Sequence, residues 1–383
     1  MRSERERSSI GPGSRGAAAA DVVRVTVVAG LPSPAKSDLV EALAARAPHA
    51  VVVHESRAAG PEGLLARLCS DPKRPDAIAV LLPGSEPRLY AARWSEIAET
   101  RPSIRIERIV TSVEVATLRG ELASSDSLAS RGWATGPCDG RSVADLAVEQ
   151  IEFADALLLH SGPGAAGRDR TWSEELAAAL NAHAARIDAS ACRLDPRLLD
   201  GAPHFAFEET VRAARWFRAL DNRGFGLEDA RVLRFDARAP FHPGRLGALL
   251  SGRPGRFVRA KGLCWISNEP EYALGLSVAG AVSRLFRASP WWAALPAECW
   301  PANPEARARI SADWDPRFGD RRQRLAFVGP DLDAAVLRRA LEGCLQRAWD
   351  APLPAGGPSS ELARSPEASE RARFGHSSSE RLH

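Results

Sequence analysis

The 383-residue sequence has little that would tie it together covalently or through a metal. Its six cysteines, Cys69, Cys138, Cys192, Cys264, Cys299 and Cys344, stand singly. None forms C-x-x-C or C-x-C, so the spacing supports neither a zinc knuckle nor a disulfide framework, and the thiols are expected to be reduced and mostly packed. Charge of one sign is also lacking. The balance of 51 Lys+Arg against 48 Asp+Glu gives a net charge of +3, which argues against capture of nucleic acid or membrane by bulk electrostatics. No apolar run reaches the length of a membrane span. The first residues, MRSERERSSIGPGSRG, lack the apolar centre of a signal peptide, and the expected location is cytoplasmic. There is no G-x-S-x-G elbow, so no hydrolase triad is proposed.

What is present is ordinary for a globular protein. Hydrophobic residues make up 45% and charged residues 26%, and the length suggests two domains with a sizeable core. Arginine outnumbers lysine and alanine is abundant, a pattern read as coding bias rather than as function. Residues 1–20 read as a disordered lead. From 21 to 230 strands and helices alternate. Strands are expected at Val22–Ala29, Ala50–His54, Asp76–Leu82, Ile106–Val115 and Ala154–Leu159. Helices are expected at Ser37–Arg46, Pro61–Cys69, Ala91–Thr100, Val143–Phe153, Trp172–Ala185 and Glu208–Asp221. Repeated βα units of this kind predict an α/β fold with a doubly wound, mostly parallel sheet. A smaller α+β domain is expected over 231–350. Its strands are Arg231–Asp236, Phe257–Ser267 and Arg324–Gly329, with Ala273–Ala288 read as strand in preference to helix, and its helices are HPGRLGALL and Leu332–Gln346. Residues 351–383 turn to Pro, Gly, Ser, Arg and Glu and read as a disordered tail.

The stretch Val25–Val40, VTVVAGLPSPAKSDLV, has the strand–loop–helix layout of a phosphate-binding loop, G-x-x-x-x-G-K-[ST]. Gly30, Lys36 and Ser37 hold their places and are the nucleotide-binding candidates. The second glycine is replaced by Ala35, and Pro34 offers no backbone N–H to a phosphate. A βα turn with a solvent-facing lysine explains the same residues equally well.

Longer segments resemble a known family. RFVRAKGLCWISNEPEYALGLSVAGAVSRLFRASPWW (Arg256–Trp292), continued by DWDPRFGDRRQRLAFVGPDLDAAVLRRALEGCL to Leu345, resembles the C-terminal domain of CobW-type proteins. These belong to the CobW/HypB/UreG group of P-loop GTPases. Ile109–Gly132 and DGRSVADLAVEQIEFADALLL (Asp139–Leu159) resemble the strand, loop and helix–strand that precede the group's guanine-specificity loop. The resemblance covers roughly 22–160 and 231–346 and implies a GTP- and magnesium-binding first domain in a protein of metal homeostasis.

Each place where that family keeps its chemistry is altered here. The P-loop is eroded. The C-x-C-C motif expected after the second strand is absent between Val53 and Asp76, where only Cys69 remains, so no metal residues are assigned and tight zinc binding is not expected. The acidic residue that would serve magnesium and water falls on Leu81, with Ser85-Glu86-Pro87 surviving beyond it. In place of N-K-x-D the chain reads His160-Ser161-Gly162-Pro163. No catalytic residue is assigned. The eroded loop, GSEP, DGRS and the C-terminal words resemble a subgroup that includes zinc-starvation factors recruiting a hibernation protein to ribosomes. That narrower resemblance implies a pseudo-GTPase adaptor with a protein or ribosome-associated partner. The alternative is an active GTP-dependent metallochaperone. Partner-binding candidates are Trp291, Trp292, Arg321 and Arg322, since aromatic and arginine anchors dominate interfaces; a buried aromatic core and a solvated charge run are the competing explanations. His242, between Pro240 and Pro243, reads as a helix-start residue.

Overall fold

The computed structural model describes residues 23–55, 63, 66–67, 76–100, 104–162, 167–189, 199, 205–206 and 231–347. The expected lead, tail and helix Glu208–Asp221, most of the expected helix Pro61–Cys69, Cys69 and Cys192, and the boundary at 230 lie outside these residues.

The first domain is built on six strands: β1 (Val23–Gly30), β2 (Val51–His54), β3 (Asp76–Val80), β4 (Ile104–Glu114), β5 (Ala156–His160) and β6 (Ala185–Asp188). They run in the order β2-β3-β1-β4-β5-β6, and every pairing is parallel. Helices α1 (Pro34–Arg46), α2 (Pro87–Thr100), α3 (Val115–Ala123), α4 (Val143–Glu152) and α5 (Gly167–Leu180) cover it. Val25 and Val27 pack on one face with Tyr90 and Trp94 of α2, and Val28 packs on the other with Leu39 of α1. A strand buried on both faces accounts for the unbroken apolar run. The order places β1 between β3 and β4, where the direction of winding reverses. A crevice at the carboxyl ends of the strands is the usual ligand position in such sheets.

Two elements depart from the sequence reading. Val115–Ala123, expected as loop, is a helix that buries Val115, Leu118 and Leu122; the β-rich run ahead of it hides the helical spacing. The expected helix Trp172–Ala185 ends at Leu180, and Ala185–Asp188 is a four-residue edge strand, too short to show a period of two.

The second domain is antiparallel. Strands β7 (Val232–Ala237), β8 (Arg259–Cys264), β9 (Tyr272–Ala279), β10 (Val282–Pro290) and β11 (Gln323–Val328) run in the order β10-β9-β8-β11-β7. Ala273–Ala288 is therefore a hairpin rather than one strand. Helices α6 (Pro243–Gly252) and α8 (Ala334–Cys344) cover one face, with Leu246, Leu249, Leu337 and Leu341 packed on Phe235, Leu276 and Phe327. A further helix, α7 (Pro304–Ala312), buries none of its residues. His242 is the N-cap of α6, its Nδ1 accepting the Arg245 N–H at 3.4 Å, so its role is structural.

The other face of this sheet docks at one end on the first domain. Ala279 and Val328 share a core with α3, α4 and α5. At the hairpin turn Ala281 N–H donates to Leu122 O at 2.8 Å. Gly280 beside it has φ +48, and a Cβ there would lie 1.9 Å from the same carbonyl, so only glycine fits. Acidic residues on α4 meet basic residues of the sheet. Arg259, 1% exposed, donates to both Glu152 oxygens at 2.7 and 3.2 Å. Lys261 Nζ lies 3.7 Å from Glu152, and Arg284 pairs with Asp145 and donates to Gly140 O at 2.6 Å.

Candidate functional site

The candidate site lies where β1 runs into α1, and its polar groups are turned inward. Gly30 (φ +132) passes so close to β4 that a Cβ would sit 2.5 Å from Ser112 O, so the backbone approach alone demands glycine here. Ser33 is the N-cap of α1, and its hydroxyl accepts the Lys36 N–H at 3.3 Å. With Pro34 lacking an N–H, two of the groups that would face a phosphate at a helix start are absent or taken. Lys36 is buried and folded back into the loop, Nζ donating to Gly30 O at 3.1 Å and to Leu81 O at 2.8 Å. Burial pulls its pKa down to about 8, against the pull of Glu55. The solvent-facing lysine considered from the sequence is thus a buried one. Ser37 is exposed.

Lys36 and Glu55 close the loop that follows β3. Leu81, at the position expected to be acidic, is 2% exposed and packs in the core with Ala79 and Tyr90. Glu55, just past β2, accepts from Leu82 N–H at 2.7 Å and Ser85 Oγ at 2.6 Å. Burial raises the pKa of this carboxyl despite those donors and Lys36. From the other side Arg141 donates to Glu86 at 2.6 Å, to Gly84 O at 2.9 Å and to Asp139 at 2.6 Å. Burial opposes the charge on Asp139, but Arg141 holds its pKa down to about 2. A Cβ on Gly84 would lie 1.8 Å from Trp133 O. GSEP and DGRS, far apart in sequence, therefore form one buried clamp. The sequence reading missed Glu55 and Arg141. The only signal was an acid at the end of β2 and an arginine just ahead of an S-x-x-D capping box, which Ser142 and Asp145 form on α4.

Where a guanine-reading loop would follow β5, Gly162 N–H donates to the Glu114 carboxylate at 3.3 Å. Leu81 is thus buried, Lys36 is bonded to two backbone carbonyls and the helix start is capped by Ser33. Among the described residues no three His, Cys, Asp or Glu side chains come together as a metal site; Cys69 lies outside them. No helix among the described residues is long and apolar enough to cross a membrane.

The partner-binding candidates separate. Trp291 is 5% exposed and packs with Trp265, Ala273 and Phe318, which makes it core. Arg322 is drawn in between Asp236 and Asp313, at 3.2 and 3.0 Å. Trp292 is partly exposed and rests on Trp300, ring centroids 6.3 Å apart, with its N–H held by Asp320 at 2.9 Å. Arg321, also partly exposed, donates to Pro270 O at 2.9 Å.

A six-stranded parallel sheet with a glycine–lysine loop at its switch point, joined to an antiparallel sheet backed by two helices, defines a two-domain protein of an α/β and an α+β part. Residues 230–345 match the cobalamin synthesis protein cobW C-terminal domain. Over 250 residues it is 25% identical to zinc-regulated GTPase metalloprotein activator 1 of Dictyostelium discoideum, covering 63% of this chain and 52% of that one. Over 248 residues it is 29% identical to zinc chaperone Rv0106 of Mycobacterium tuberculosis, covering 63% and 57%. The chain thus spans about half the length of the curated relatives it matches. The solved structure of the Zn(II)-bound YjiA GTPase from E. coli aligns over 85% of this chain and 99% of that one, at 14% identity and a TM-score of 0.37.

Proposed function

We propose that this chain is a metal-homeostasis protein of the CobW type that has lost GTP turnover and works as a cytoplasmic adaptor, contacting a protein or ribosome-associated partner through its C-terminal domain. The observation that carries the reading is Lys36: the lysine that would grip a phosphate is spent on Gly30 O and Leu81 O, beside a leucine where an acid is needed. Phosphoryl transfer depends on positioned magnesium and an oriented water; Ser37 keeps the place of the loop's magnesium ligand, but the acid that would complete that site and serve the water is replaced by Leu81. The names of the relatives, a zinc-regulated GTPase metalloprotein activator and a zinc chaperone, support zinc as the metal concerned. Zinc-linked ribosome hibernation is the setting proposed from the subgroup resemblance. Of the four anchors, Trp292 and Arg321 carry the contact, while Trp291 and Arg322 hold the framework beneath it.

One observation favours an active GTP-dependent metallochaperone instead: Gly30 and Lys36 remain adjacent, with the Glu55 carboxyl near enough to act on Lys36. Steady-state GTP hydrolysis by the purified full chain with magnesium separates the two. The adaptor reading expects no turnover above buffer; magnesium-dependent turnover abolished by Lys36→Ala overturns it. Metal analysis after mild dialysis bears on zinc: well under one zinc per chain is expected, and one retained zinc lost on Cys69→Ala contradicts that.

A further inference from the structure

Beyond its docked end, the same face of the second sheet carries the row Phe286, Gly275, Leu263, Arg324 and Asp236, and then Trp265 and Ala273, which Trp291 and Phe318 cover. Outside that cover the aromatic rings continue to the surface. Trp292 and Trp300 have ring centroids 6.3 Å apart and planes inclined by 61°; Trp300 and Trp314 follow at 5.2 Å and 55°. Trp292 and Trp300 are partly exposed, and Trp314 is 39% exposed. Rings inclined in this way leave notches instead of a closed stack. The platform is held from beneath. Asp315 and Gly319 exchange backbone hydrogen bonds, both of 2.8 Å, and Asp320 accepts from the Trp292 and Ala293 N–H groups at 2.9 Å. Gly319 (φ +67) lies against the Trp314 ring, where a Cβ would come 3.2 Å from the ring and 2.3 Å from Ala293. Three large rings on one fixed surface make an apolar patch of the kind that marks an interaction site.

The path of the chain after α8 names the cover. Leu345 pairs antiparallel with Phe241; His242 N–H donates to Cys344 O and Gln346 N–H to Pro240 O, each at 2.8 Å. Continued by two residues, that pairing runs toward Arg238. The Arg238 guanidinium is itself anchored on Asp313 O at 2.5 Å and Gly319 O at 3.0 Å, the two ends of the turn that carries Trp314 and Phe318. The described residues end at Arg347, and the sequence goes on as Ala348-Trp349-Asp350-Ala351-Pro352-Leu353-Pro354. From Gln346 the extended chain reaches at most about 10 Å to Trp349 and about 28 Å to Pro354. Proline-containing segments favour the extended polyproline helix, which lacks internal hydrogen bonds and docks in aromatic-lined grooves. With three residues per turn, Trp349 and Pro352 share one side of such a helix.

We infer that the chain's own segment Trp349–Pro354 folds back onto the surface made by Trp292, Trp300 and Trp314. A tethered segment acts at an effective concentration of about millimolar, so a contact too weak to form between separate molecules is occupied within one chain. The further consequence rests on the adaptor reading: the segment covers Trp292 until a partner displaces it.

The test uses the full chain and a fluorescein-labelled synthetic peptide of residues 347–355, followed by anisotropy. In the parent the tethered segment competes with the peptide. The full-length variant Trp349→Ala/Pro352→Ser/Pro354→Ser removes the competitor and is expected to bind the peptide about tenfold more tightly than the parent, or better. Adding Trp314→Ala to that variant is expected to abolish binding, and so is replacing both prolines of the peptide by serine. Thermal melts check that each variant folds, and Trp292→Ala serves in place of a misfolded Trp314→Ala. Absence of binding to either chain, equal binding by parent and tail variant, binding indifferent to the tryptophan substitution, or full binding of the serine peptide overturns the proposal. So does a chain dimer in sedimentation that the tail variant dissolves, since the segment then lies on a second copy. GTP turnover by the chain would sink the adaptor reading while leaving peptide binding as measured, so the two failures are distinguishable.

Discussion

The carboxyl end of β1 and the open face of the second sheet make opposite use of their polar groups. In the loop after β1, Lys36, Ser33, Glu55 and Arg141 are all spent on neighbouring backbone and side chains. On the second sheet Arg259 and Arg284 are spent on α4, yet the next row keeps Leu263 and Phe286 open to solvent. The motif that attracts attention in the sequence is therefore the more closed region, and the stretch without a motif is the more open one. Short motifs report ancestry; which polar groups still face outward reports what can be done now.

The sharpest way to break that comparison is to cut the joint between the regions. Arg259→Ala leaves the Glu152 carboxylate buried without its bidentate partner, and the expected loss is about 3–5 kcal/mol of stability in chemical denaturation. A loss below about 1 kcal/mol would mean that α4 and the sheet do not depend on the pair. Next in size is Gly30→Ala. The positive φ and the approach to Ser112 O predict a destabilisation of about 1–3 kcal/mol, visible as a lower melting temperature without any ligand. A variant as stable as the parent would show that this glycine serves a ligand after all.

A smaller effect tests the acidic stripe itself. One oxygen of Glu149 is buried with no hydrogen-bond partner among the described residues. Burial first, and then Glu86, push its pKa up to about 7, against Lys261 and Arg259. A carboxyl whose folded pKa exceeds its unfolded value contributes stability that is complete below about 4.5 and is lost as pH rises through about 7. Glu149→Gln should therefore leave stability near pH 4.5 unchanged and raise it above pH 7, by on the order of 1 kcal/mol. Melting curves across that range check it; a variant that loses stability at high pH would show the charge to be favourable.

Much of the fold was legible before the structure. β1 and β3, with long apolar runs, fall within a residue or two of their expected bounds, and so do α4 and α6, where helical spacing and caps agree. The pieces that were not legible are local signals too short or too strongly overwritten: β6 has four residues, and α3 follows a β-rich run. The site was legible only in its motif. Gly30 and Lys36 could be named from spacing, but the closure of the loop by Glu55, and the pairing of Arg141 with Glu86 over 55 positions, are long-range facts that no window contains. Trp291 illustrates the same limit, since a tryptophan pair reads alike whether one ring is core and the other rim or both are exposed.

Nucleotide binding tests the central claim most directly. The full chain is melted with and without 1 mM GTP and magnesium, with ATP as comparison. A closed loop predicts no shift, since a ligand at roughly 100 times its Kd would add about 2.7 kcal/mol and raise the midpoint by several degrees. A GTP-specific rise of that size, lost on Lys36→Ala in a variant that still folds, would contradict the account.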